Sequence, residues 1–188
     1  MNKEENRYQA IPSVDILYDM ANAGIKRGYL HYKIKEVPDI PDLSMMAEEV
    51  SEELFRRTAA YSKDHPNVSP ANTAPSLCFY AGMGAVELWN EDDARLRARG
   101  LVNLLIYERG FERMDEYVTD LVGIGYGSTA SEQLMRQISE IETVGLDAIS
   151  MPSSEEAAYR QFLEFMKAMY LYGMVLEMER LGIRGPAM

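Results

Sequence analysis

The chain has 188 residues, 47% of them hydrophobic and 26% charged, with 30 acidic side chains against 19 basic ones and a formal net charge of −11. That is enough chain to bury a substantial core, and its apolar and aromatic content argues against intrinsic disorder. The negative field repels polyanions, which argues against general nucleic-acid binding and against attachment to an anionic membrane surface.

A single cysteine, Cys78, cannot form an internal disulfide and fits a reducing compartment. In the run Leu77-Cys78-Phe79-Tyr80 it reads as a small buried hydrophobe rather than a nucleophile. Residues 1–7 are polar and lack the apolar core of a signal peptide, and no apolar run reaches the roughly 18 residues of a membrane span. The expected location is therefore the cytoplasm, with no membrane partner.

Between its proline and glycine breakers the chain places apolar residues at helical spacing, and no run alternates with period two. The expected fold is all-α, a bundle of about six to seven helices in one domain over 1–188. The first helix is predicted over 14–32, with Ser13 as its cap and Asp15 in its first turn. A second starts at 43 or 44 and ends at 62, before His65-Pro66. Met45, Met46, Val50, Leu54 and Phe55 follow one of its faces, while Glu48, Glu49, Glu52 and Glu53 cluster on the other. The stretch 65–76, holding Pro66, Pro70 and Pro75, reads as a connector and a possible hinge.

A third helix is predicted from Pro75, a favoured first-turn residue, to Trp89. Asn90 divides it from a fourth, which Glu91-Asp92-Asp93 open and Gly110 closes. The fifth covers 111–122. The sixth covers 130–149, with Leu134, Ile138, Ile141 and Leu146 on one face. The seventh covers 154–181, with Ser153 or Ser154 as its cap and Glu155-Glu156 in its first turn.

Over 162–178 the last helix is apolar around most of its circumference, interrupted only by Glu164, Lys167, Gly173 and Glu177. Such a helix is buried on several sides. It is the centre of the bundle or a subunit interface, with Phe162, Phe165, Met166, Met169, Tyr172 and Met174 carrying that role.

Groups able to do chemistry are sparse. Neither His31 nor His65 stands in the Glu-x-x-His spacing of a di-iron bundle, and there is no Cys/His cluster for zinc. The glycines of 123–131 lack the lysine of a P-loop and a preceding strand, so they read as a helix end, a loop and the next cap. Glu87, Glu108 and Glu177 each sit in an apolar run. A buried carboxylate needs a partner or takes up a proton, so these three are candidate functional groups. The plainer alternative is pairing with Arg95, Arg109, Arg113 or Arg180.

Glu48, Glu49 and Glu52 lie within one helical turn, where like charges repel unless water or a cation separates them. Mg²⁺ accepts carboxylates of this kind when phosphate oxygens complete its shell. The segment Met46-Ala47-Glu48-Glu49-Val50-Ser51-Glu52 resembles the first motif of the MazG-like all-α nucleoside-triphosphate pyrophosphohydrolases. That family adds a Glu-x-x-Asp on a following helix, which Glu112-Arg113-Met114-Asp115 matches at a wider separation than the family's. The resemblance implies a Mg²⁺ site built from Glu48, Glu49, Glu52, Glu112 and Asp115. The alternative to such a site is a solvated acidic face. The leading expectation is a non-catalytic interaction or regulatory protein acting through self-association or a protein partner, with no cofactor. The alternative is the Mg²⁺-dependent pyrophosphohydrolase.

Overall fold

Runs of helical periodicity become helices here, and their ends are set by local chemistry. The computed structural model describes residues 8–36 and 39–183. In chain order the α-helices are α1 (Ser13–Lys26), α2 (Pro41–Ser44), α3 (Ala47–Asp64), α4 (Pro70–Arg99), α5 (Leu101–Tyr107), α6 (Met114–Leu121), α7 (Thr129–Asp147) and α8 (Glu155–Arg180). Short 3-10 turns cover Ile34–Glu36 and Phe111–Arg113. There is no strand among the described residues, so the fold is an all-α bundle.

The last helix is central. α8 packs against α1, α3, α4 and α7, and its side chains from Phe162 to Met178 are buried on nearly every face. Ser154 caps it, the hydroxyl accepting from the Ala157 amide, and Ser128 does the same for α7 with Ser131. The principal neighbour of α8 is α4, and the two run parallel. Pro70 and Ala71 at the start of α4 lie with Tyr159 and Phe162 near the start of α8. Farther along, Phe79 meets Tyr172 with ring centroids 5.7 Å apart.

The α4–α8 seam is made by glycines. A Cβ on Gly82 would overlap the Tyr170 carbonyl oxygen and lie 2.9 Å from the Met174 nitrogen. A Cβ on Gly173 would overlap the Phe79 carbonyl and lie 3.2 Å from the Met83 nitrogen. The two backbones therefore touch, and no larger residue fits at either point. Around this seam one continuous core extends from Ile16 to Met178. Phe165, Met166, Met169 and Tyr172 are fully buried in it, with Phe162 and Met174 nearly so. Of the two places expected for these six residues, the centre is the one they occupy, and they offer little surface to a second copy.

Several helix ends differ from expectation. α1 stops at Lys26 rather than near residue 32, because the Tyr29 and Leu30 amides turn back onto the Gly24 carbonyl at 2.8 and 3.2 Å. Ser13 is inside α1 rather than its cap, and its amide donates to Glu164 Oε2 at 2.7 Å. Met45 breaks the expected second helix into α2 and α3 and is 82% exposed instead of buried. The connector 65–76 shrinks to 65–69, since α4 starts at Pro70 and carries Pro75 inside it. A proline this early removes only one hydrogen bond, the one that would end on the Ala71 carbonyl.

The expected division near Asn90 is present as a kink inside α4, where Asp92 leaves helical geometry at φ −157°, ψ 78°. A further break falls at Gly100, whose φ of 79° only glycine adopts without strain, and it separates α5 from α4. Leu146 is 40% exposed rather than part of the buried face of α7.

Candidate functional site

The acidic face of α3 is solvated. Glu48, Glu49 and Glu52 are exposed, and Glu48 Oε2 lies 3.9 Å from Lys167 Nζ of α8. Glu112 is exposed in the 3-10 turn, and Asp115 is half-buried in the first turn of α6, where burial pushes its carboxyl above the usual range. The far end of α3 is the one that meets this region, through Tyr61 and Phe111 at 6.2 Å between ring centroids. At 1.5 Å per residue, Tyr61 is about 13 Å along the helix from Glu52. Glu48, Glu49 and Glu52 thus stand at the start of α3, and the turn that carries Glu112 meets its other end. Among the described residues no group of three or more His, Cys, Asp or Glu is placed to hold a metal ion.

The three carboxylates from apolar runs part company. Glu108 is exposed, because α5 ends at Tyr107 and the residue after it faces water. Glu87 is half-buried on α4. Glu177 is 0% exposed on α8, and it takes the plainer course of pairing with an arginine. Its Oε2 accepts from Arg180 Nη1, while Arg180 Nη2 donates to the Val122 carbonyl at 3.1 Å. Its Oε1 is buried with no hydrogen-bond donor. The acidic side chain that interacts with the Glu177 carboxyl is Glu87 of α4. Two carboxyls can bond only if one carries a proton. Burial, and then the Glu87 charge, push the Glu177 carboxyl up to about 7, with Arg180 opposing.

The other candidates are quiet. Burial pushes the Cys78 thiol up to about 12, and its nearest polar neighbour is Ser51 Oγ at 3.8 Å. His65 stacks flat on Tyr61 at 3.8 Å, and His31 Nδ1 lies 2.7 Å from Glu179 Oε1. The glycine loop is the junction of α6 and α7, with Asp120 Oδ1 accepting from the Tyr126 amide at 2.7 Å.

A feature the sequence did not point to is an apolar groove where the starts of α4 and α8 meet the middle of α3 and the end of α7. It encloses about 910 Å³, and Phe55, Pro70, Leu146, Met151, Tyr159 and Phe162 line it. Leu146, Met151 and Tyr159 are 40%, 52% and 36% exposed. Tyr159 packs edge-on against Phe55 at 5.4 Å, and Phe55 in turn packs against Phe162 at 5.8 Å. Across the Phe55–Tyr159 wall a second hollow of about 520 Å³ continues the surface along α3.

The groove's own lining carries acidic side chains and no basic one. Glu155 and Glu156 line it and are exposed, Glu156 in an ion pair with Arg160 at 3.1 Å, while Arg56 and Lys63 stand in the second hollow. The last turn of α7, which brings Leu146 to the groove, holds Asp147 and no basic residue, so the negative end of its dipole is uncompensated. Ala71, whose carbonyl is deprived of its helical donor by Pro75, belongs to the same lining. Of the residues picked from the sequence, Phe162 alone takes part.

No helix among the described residues is long and apolar enough to cross a membrane. Comparison with family models, with curated proteins and with solved structures finds no match to the chain.

Proposed function

We propose that this is a non-catalytic interaction protein that binds a protein partner in the groove between the starts of α4 and α8. The observation that carries the reading is the coincidence of exposed apolar side chains, Leu146, Met151 and Tyr159, with a groove lining whose charged side chains, Glu155 and Glu156, are both acidic. Exposed apolar surface in a concave, rimmed setting is the usual mark of an interaction site. The occupant that fits is an amphipathic segment, apolar on the face that enters and rich in Lys or Arg beside it. A second copy of the chain fits poorly, because it would bring its own acidic rim and its own charge of −11 against the first.

The test is selection of helical peptides against the intact chain from a displayed library. Selected peptides should carry apolar residues at helical spacing flanked by Lys or Arg. Their affinity should fall as salt rises, and Leu146→Glu together with Met151→Glu should abolish binding. Binders that survive both substitutions, or that carry acidic flanks, would overturn the reading.

A further inference from the structure

The groove leaves the buried carboxyls at the other end of the α4–α8 pair unexplained. We propose that the buried carboxyl of Glu177 holds a proton towards Glu87 and, with Arg180, forms a pH-sensitive latch that fastens the C-terminal end of α8 to α4 and to the chain just past α6.

The geometry sets the charge count. Glu177 is fully buried, so its charge is costly unless matched. The charged groups that interact with it are Glu87 from α4 and Arg180 from its own helix, and Val122, just past α6, contributes its carbonyl to Arg180. With a proton on Glu177, one carboxylate balances one guanidinium, and the carboxyl whose Oε1 has no donor gains a proton of its own to bond with. With no proton, two carboxylates face one arginine and the orphaned oxygen has only repulsion. The proton is therefore part of the folded state, and the latch is closed when it is bound.

The latch also has a load. Glu179, two residues on, accepts the His31 amide at 3.0 and 2.9 Å and the Tyr32 amide at 3.2 Å. Loosening the end of α8 thus releases the segment that follows α1 as well.

The sign follows from the raised pKa. Below the ordinary carboxylate range both folded and unfolded chains hold the proton, and nothing is lost. As pH rises from that range towards about 7, the unfolded chain gives up the proton first, and stability falls. Above it, the full penalty is present. One proton corresponds to at most about a tenfold change in the opening constant per pH unit within that window.

The test compares opening of the intact chain at pH 5 and pH 8 by urea unfolding and by amide-exchange protection factors in the last two turns of α8 and over 29–32. Wild type should lose protection at pH 8. Glu177→Gln supplies an amide donor to Glu87 and an acceptor to Arg180 without a titrating proton, and Glu87→Gln supplies a fixed donor from the other side. Either should flatten the pH dependence and exceed wild type in protection at pH 8. Asp115 and Glu142, also raised by burial, remain in both variants, so the difference isolates the pair. If a variant fails to fold, ¹³C titration of the Glu177 carboxyl in wild type decides. A titration in the ordinary carboxylate range, or a variant with an unchanged pH slope, would overturn the proposal.

Discussion

Replacing Gly82 by alanine tests the packing at the centre of the bundle. Alanine is the better helix former by about 1 kcal/mol, so on propensity alone the change stabilises α4. The seam reverses that sign. The new methyl would overlap the Tyr170 carbonyl and sit 2.9 Å from the Met174 nitrogen, both backbone atoms of a buried helix. No rotamer relieves such a clash, so α4 and α8 must separate, and the core side chains along both helices lose close contacts. Overpacking of this kind typically costs about 1–3 kcal/mol where side chains can yield. With backbone on both sides we expect about 3–5 kcal/mol, or about 2–4 kcal/mol net of the gain in propensity. That is a large part of the roughly 5–15 kcal/mol that stabilises a domain.

Gly84→Ala on the same helix is the control. Its methyl would meet Leu105 Cδ2 at 2.8 Å, the movable end of a side chain. It should leave stability within about 1 kcal/mol of wild type, since strain and propensity offset each other. Urea melts of the two variants, read by circular dichroism, provide the measurement. Equal midpoints, or a Gly84→Ala protein less stable than Gly82→Ala, would refute the touching-backbone account.

Two further substitutions and treatments follow from buried groups. Gln161 is fully buried and ties the segment before α1 to α8, its Oε1 accepting from Tyr8 Oη at 2.7 Å and the Ile11 amide at 2.8 Å while its Nε2 donates to the Ile11 carbonyl. Gln161→Ala should cost about 2–3 kcal/mol through the polar groups left unpaired and should speed proteolytic cleavage near residues 8–12. An unchanged melting midpoint would contradict this. Cys78, buried and with its thiol pushed up to about 12, should resist a disulfide-exchange reagent at pH 8 in the native state and react fully in urea. Rapid stoichiometric labelling of the folded chain would mean that the thiol is accessible after all.

The helices were legible because each is long enough to repeat its pattern, and the all-round apolar run over 162–178 identified the centre before any coordinate did. The ends were less legible because they depend on single residues whose effect is contextual. Gly100 breaks a helix whereas Gly82, Gly84 and Gly173 lie within helices, and nothing local in the sequence separates these cases. Pro75 reads as a start but lies inside α4, because Pro70 had already started it. The isolated carboxylates looked alike since each has apolar neighbours in sequence. Only the end of α5 at Tyr107 turns Glu108 out to water, and only the packing of α4 on α8 turns Glu177 in. Helical spacing put Glu48, Glu49 and Glu52 together, but it carried no information on which end of α3 the Glu112–Asp115 segment would meet.

The groove was invisible for a different reason. Its lining comes from four stretches remote in sequence, around Phe55, Pro70, Leu146–Met151 and Tyr159–Phe162, and each stretch alone reads as ordinary core or connector. Its place in the fold also separates it from the latch. Phe162 at the floor of the groove and Glu177 in the latch lie on one helix, about 22 Å apart at 1.5 Å per residue. Between them stand Gly173 on the Phe79 carbonyl and the Phe79–Tyr172 ring contact, where α4 and α8 cannot slide past one another. Sites this far apart with no shared partner act additively, so proton release at one end loosens the last turns of α8 without reshaping the groove at the other. A peptide that enters the groove should therefore bind equally well to the wild-type chain and to Glu177→Gln. The binding surface and the proton-dependent end are then two properties of one rigid helix pair, each able to fail without the other.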